Sequence, residues 1–158
     1  ILSYYGFIEQ AEKEMLRSQR YGNPLSLAII TVKLFGDKND AFRENQLNAS
    51  ISYISEILCA NIRKTDIIGR CDDSSFVILF TETKSNDGKR ALNKLLKLLE
   101  YNGDLGYQIY STCISLKDDD IETILKVNRN KVIASGKTLG KYGLSDILGF
   151  NRKWKNHF

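Results

Sequence analysis

The chain has 158 residues, 42% hydrophobic and 27% charged, which fits one domain with a sizeable core, since about 150 residues hide roughly 68–70% of their unfolded surface. Its 23 basic and 19 acidic residues are spread along the whole length, so the net charge of +4 suits an anionic small ligand but excludes a concentrated nucleic-acid footprint. The one histidine, His157, is next to last, and Cys59, Cys71 and Cys113 show no CxxC spacing, which leaves imidazole catalysis, a zinc centre and a disulfide framework without a provider.

Three cysteines without a pairing pattern suit a reducing cytosol. No run approaches the roughly 20 apolar residues of a membrane span, and no signal peptide opens the chain. Beginning at Ile1 without a methionine, it reads as a cytoplasmic domain excised from a longer protein, whose other parts could reach the inner membrane.

Phe7, Ile8, Ala11, Met15 and Leu16 recur at helical spacing, and Tyr21-Gly22-Asn23-Pro24 is the expected stop. The LSLAIITVKL run from Leu25 to about Leu34 is nearly continuous in apolarity, as in a strand covered on both faces. Leu47, Ile51, Ile54, Leu58 and Ile62 then mark an amphipathic helix, with Arg63 and Lys64 at its C-terminal end, where positive charge suits the helix dipole.

Ile67-Ile68 and Phe76 to Phe80 are short β-type runs around a polar turn, predicting a hairpin over 67–80 with Asp72 to Ser75 at its tip. Ser85 or Asn86 can cap a helix carrying Ala91, Leu92, Leu95, Leu96 and Leu99, which should end before Asn102-Gly103. Tyr107 to Leu116 reads as a strand, and Asp118 to Asp120 open a last helix through Ile121, Ile124, Leu125, Val132 and Ile133. This order suits an α/β fold of the α+β kind: a central, largely antiparallel sheet flanked by helices. Residues 1–140 form the expected domain, and 141–158, ending in NRKWKNHF, a basic and aromatic extension.

The stretch RKTDIIGRCDDSSF, Arg63 to Phe76, is the most informative. It resembles the signature of GGDEF domains, in which an RxxD pair is followed after five residues by the GGDEF hairpin. Here Arg63 and Asp66 are followed after five residues by Asp72-Asp73-Ser74-Ser75-Phe76. The resemblance runs from about Tyr4 to Ala134 and implies the nucleotidyl-cyclase-like fold; Phe7, Arg17, Arg20, Pro24 and Leu25 match the family's opening helix and turn.

The resemblance also implies what has been lost. Where the family carries DxDxFKxxND, with a metal-holding first aspartate, this chain reads TVKLFGDKND. Thr31 and Lys33 stand at the two acidic positions, and only Phe35, Asn39 and Asp40 match. A hydroxyl is a poor substitute for a carboxylate in a hard-cation site. Asp72 and Asp73 add side chains where two glycines would let GTP approach the backbone, and Ser74 and Ser75 replace the acids. Ser135 takes the position of a triphosphate-contacting lysine, with Lys131 and Lys137 nearby. Asn39 matches a guanine-contacting asparagine, so residual mononucleotide binding stays open.

The RxxD pair is, in the family, the inhibitory site that binds cyclic di-GMP. A guanidinium can contact guanine O6 and N7 or a phosphate, and a carboxylate can accept from guanine N1 and N2. The implied ligand set is Arg63 and Asp66, completed from the next helix by Lys94 or Arg90, with Arg70 either a contact or one half of a cross-hairpin salt bridge.

The resemblance therefore implies a catalytically inactive, degenerate cyclase: a bacterial receptor for cyclic di-GMP, bound as an intercalated dimer, with no metal or other cofactor and no nucleic-acid polymer as partner. Its relatives in that sense control exopolysaccharide secretion and biofilm, with the signal relayed to other domains of the parent protein and a homodimer allowed. One alternative is a nucleotide-free protein-interaction or dimerisation module; another is an active cyclase with displaced residues.

Overall fold

The computed structural model describes residues 1–34, 41–101 and 107–135, with the backbone alone at 101 and 132–135. Helix α1 (Tyr4–Tyr21) precedes strand β1 (Leu25–Leu34), and helix α2 (Ala41–Asn61) precedes the hairpin of β2 (Ile67–Asp72) and β3 (Ser75–Phe80). Helix α3 (Ser85–Tyr101), strand β4 (Tyr107–Leu116) and helix α4 (Ile121–Ser135) complete the order. The expected extension at 141–158 lies outside the described residues.

Each helix of the α1/α4 pair begins on a side-chain cap. The Gly6 N–H donates to Ser3 Oγ at 3.2 Å, and the Thr123 N–H to Asp120 Oδ2 at 3.3 Å. The bonds from Thr123 hold the exposed Asp120 carboxyl below its ordinary pKa. At its other end α1 closes on Gly22, at φ 72, whose N–H donates to the Ser18 carbonyl. This left-handed conformation carries no Cβ penalty in glycine.

The sheet runs β2-β3-β1-β4, with every adjacent pair antiparallel. Its alternating side chains feed two cores, as the period of two requires. Ala28, Ile30 and Val32 of β1 pack with Ile54 and Leu58 of α2 and Leu95 and Leu99 of α3. Leu25, Leu27 and Ile29 pack with Phe7 and Ala11 of α1 and Ile121 and Leu125 of α4. The continuous apolarity of β1 follows from this double cover.

Leu16 departs from the expectation: it is 66% exposed, because one residue beyond Met15 is about 100° of helix turn away from the buried stripe. Leu47 and Ile62 are likewise only partly buried at the ends of the α2 stripe. Strand β2 is longer than the apolar run suggests, continuing through Gly69, Arg70 and Cys71 with a bulge between Arg70 and Asp72.

Gly69 is required by packing. A Cβ there would sit 2.6 Å from Phe7 Cβ, on a strand already paired on one side with β3 and held on the other by Leu2. Gly69→Ala should therefore destabilise the fold by about 1–3 kcal/mol, the usual range for overpacking a full core. A lowered urea midpoint at unchanged slope is the expected reading.

Candidate functional site

Among the described residues, two places gather the polar side chains considered for function, and they differ in kind. The first lies where the β2–β3 hairpin meets β1. Thr31 continues the row of Leu27 and Ile29, and it pairs in register with Ser75 on one side and Tyr110 on the other. Thr31 Oγ1 and Ser75 Oγ hydrogen-bond each other at 2.9 Å, and both residues are buried. Beside them the Val32 N–H donates to the Ser74 carbonyl.

The hairpin tip is equally self-contained. Asp72 accepts from the Ser74 N–H at 2.8 Å and from the Ser74 hydroxyl at 3.2 Å, an Asx turn that needs no glycine. Among the described residues positive φ occurs only at Gly22 and Glu82, so Asp72, Asp73, Ser74 and Ser75 all lie in ordinary backbone regions. Arg129 of α4 approaches the other Asp72 oxygen at 3.0 Å, tying the tip to the last helix.

Arg70 belongs here too. Its guanidinium donates to the Asp72 and Asp73 carbonyls and lies 4.9 Å from the centre of the Phe76 ring. Arg70, expected as a ligand contact or as one half of a cross-hairpin salt bridge, here lies back on the tip, and the salt bridge of Asp72 is to Arg129.

Thr31 and Ser75 would offer a divalent cation two neutral hydroxyls, buried and committed to each other, where a hard cation favours anionic oxygens. Among the described residues there is no group of three or more His, Cys, Asp or Glu side chains able to hold a metal. Phe35, Asn39, Asp40 and Lys137 lie outside the described residues, and only the backbone of Ser135 is described.

The thiols of Cys71 and Cys113 are not poised as nucleophiles. All three cysteines are free, and burial pushes Cys71 and Cys113 up to about 11, so both are protonated at neutral pH.

The second place is a cleft of about 610 Å³ between the loop after α2, the end of β3 and the outer face of α3. It brings together Arg63, Asp66, Arg90 and Lys94, four of the five ligand residues expected from the sequence, with Leu95 and Leu98 as apolar wall. Arg90 and Lys94 are one helical turn apart on α3 and exposed; Arg90 pairs with Asp87 at 3.3 Å. A smaller cleft of about 240 Å³, bordered by Arg17 and Asn23, lies against Arg63 as well.

Asp66 is fastened at every acceptor site. Its Oδ1 accepts from Arg63 Nη2 at 2.9 Å and the Thr81 N–H at 3.2 Å; its Oδ2 accepts from the Arg63 N–H at 3.1 Å and Nε at 3.2 Å. The carboxylate is only 2% exposed, whereas the Arg63 side chain is 56% exposed. Four bonds fill the roughly four lone-pair sites of a carboxylate. In this geometry Asp66 orients Arg63 and joins the loop to β3, and a guanine edge would have to displace an internal donor to reach it.

Arg63 Nη2 also donates to the Thr81 carbonyl at 2.8 Å and to Thr83 Oγ1 at 2.7 Å. Thr81 and Thr83 were not legible as site residues, because a threonine after a strand carries no sequence signal of its own. Arg129 escaped for a similar reason: a lone arginine in a helix does not announce a partner 57 residues upstream in the hairpin.

Asp66→Asn gives a test of the orienting role. The new amide donor would face two protein donors whichever way it turns, so stability should fall by about 1.5–3 kcal/mol, discounted for the exposed half of the pair. An unchanged denaturation midpoint would mean that the bonds to Asp66 hold nothing in place.

Several comparisons agree with this architecture. Over 140 residues, 77% of this chain and 30% of the relative, the sequence is 25% identical to the diguanylate cyclase DosC of Escherichia coli. The chain thus spans under a third of that protein. A DGC protein from Thermotoga maritima superposes with a TM-score of 0.68 at 16% identity, covering 82% of this chain and 94% of that one. The GGDEF domain of DgcB from Caulobacter crescentus, solved in complex with c-di-GMP, superposes at 0.67 with 12% identity, covering 84% and 81%. The model of the diguanylate cyclase GGDEF domain matches residues 4–108, and with the strand order and hairpin described above the chain belongs to the GGDEF family.

Proposed function

We propose that this domain is a catalytically inactive receptor for cyclic di-GMP, which it binds in the cleft of Arg63, Arg90 and Lys94. The observation that carries the reading is the convergence of these three cations on one cleft from two separate elements, beside an apolar wall able to pack against a base. The inactivity rests on the buried Thr31–Ser75 hydroxyl pair, which leaves a metal no carboxylate at that position. No metal or cofactor is needed for such a function.

Asp66 serves the site by holding Arg63, and the Arg90–Asp87 pair is weak and exposed enough to yield to a phosphate. The ligand of this reading is an intercalated dimer of cyclic di-GMP, whose phosphates the three cations would meet. The domain would relay occupancy to the rest of a larger bacterial protein, associated with the inner membrane and concerned with exopolysaccharide secretion and biofilm. No helix of the described residues is long and apolar enough to cross a membrane, so such an anchor would lie in other parts of that protein.

One observation favours a second reading, a nucleotide-free interaction or dimerisation module. The Arg63–Asp66 pair is satisfied within the protein and fastens the loop to β3, so it has a structural use without any ligand. Titration calorimetry with cyclic di-GMP and GTP side by side separates the two. Binding of cyclic di-GMP well above GTP supports the receptor; heat from neither leaves the module.

A further inference from the structure

Resting on the receptor reading, we propose that Thr83 is a second positioning residue which, beside Asp66, aims the Arg63 guanidinium into the cleft. The Thr83 hydroxyl has one proton, and it is committed: Oγ1 donates to the Thr81 carbonyl at 2.7 Å. Its acceptor side is thereby turned toward Arg63 Nη2, also at 2.7 Å, the shortest of the bonds that Arg63 makes. Thr83 is itself held from both sides. Its N–H donates to the Pro24 carbonyl at 2.9 Å, and its carbonyl accepts from the buried Ser26 hydroxyl at 2.8 Å.

The segment between Thr81 and Thr83 passes through Glu82 at φ 49, a left-handed conformation uncommon for a residue with a side chain. That turn brings the Thr81 carbonyl and the Thr83 hydroxyl to the same nitrogen. Nη2 then has three acceptors for two protons, and Nε is bound to Asp66. Nη1 is the nitrogen left over: among the described residues nothing accepts from it. The plane of the guanidinium is therefore set, and its two unspent N–H groups are offered from a half-exposed side chain. A contact that is aimed beforehand loses less conformational freedom when an anion or a purine edge arrives.

Thr83→Val keeps the shape and removes the hydroxyl; Thr83→Ser keeps the hydroxyl and removes the methyl. In the ¹⁵N-arginine-labelled domain, Thr83→Val should speed exchange and rotation at Arg63 Nη2, and, because the bond exists without ligand, it should weaken cyclic di-GMP only through the lost orientation of Arg63, by about three- to fivefold. Thr83→Ser should leave both within about twofold of the original. Equal affinity in Thr83→Val, or a loss in Thr83→Ser as large as in Thr83→Val, overturns the proposal, the latter even if the valine variant folds poorly. If the unaltered domain binds no cyclic di-GMP, the receptor reading fails and takes this role of Thr83 with it. Binding by the unaltered domain with no change in Thr83→Val sinks the Thr83 inference alone.

Discussion

Incubated with GTP and magnesium or manganese, the domain should return GTP unchanged, with no cyclic di-GMP formed. Phosphoryl-type transfer is catalysed chiefly by positioning and by neutralisation of charge by metal ions, so removing the carboxylates that hold the metal removes the reaction rather than slowing it. Thr31 and Ser75 face each other across paired strands and satisfy one another at 2.9 Å, so on the receptor reading neither position offers a metal an anionic oxygen. The tip reinforces this, since Asp72 is engaged by Ser74 on one side and Arg129 on the other. Chromatography of the reaction mixture is the measurement. Product that accumulates and then disappears in Thr31→Val would show that catalysis survives at this position.

Replacing Arg63 by alanine should reduce cyclic di-GMP affinity by about ten- to hundredfold, the equivalent of losing charge-assisted hydrogen bonds worth roughly 1.5–3 kcal/mol. The structure narrows how that contact is made. Nε and Nη2 are spent on Asp66, Thr81 and Thr83, so on the receptor reading the Nη1 end of the guanidinium, and not its Nε side, is the end a ligand would meet. Arg63→Lys should therefore fail to restore affinity, because an ammonium cannot be gripped along one edge while presenting another. Calorimetry on both variants, with melting curves to confirm the fold, checks this. Undiminished binding in Arg63→Ala places the ligand elsewhere in the molecule.

Most of the secondary structure was legible from local pattern. The helical recurrence of Phe7, Ile8, Ala11 and Met15, the uninterrupted apolarity of β1 and the polar gap between Ile68 and Phe76 each follow from burial on one face, on both faces, or at a turn. The same patterns misplaced what lay at an edge: Leu16, which turns outward, Leu47 and Ile62, which are only partly buried, and the polar half of β2, whose pairing with β3 is made by backbone and leaves no apolar trace.

The candidate site divides along the same line. The sequence alone determined which residue types were present: an arginine and an aspartate at RxxD spacing, hydroxyls at Thr31, Ser74 and Ser75, and a glycine-free hairpin tip. Only the tertiary structure decided what those residues face. It brought Arg90 and Lys94 of α3 beside Arg63, turned Arg70 back onto the hairpin, surrounded Asp66 with four internal donors and joined Thr31 to Ser75. The physical reason is that a hydrogen bond depends on distance and direction between groups that can be any number of residues apart. Burial leaves a period in the sequence, whereas a bond such as that of Arg63 to Thr83, 20 residues away, leaves none.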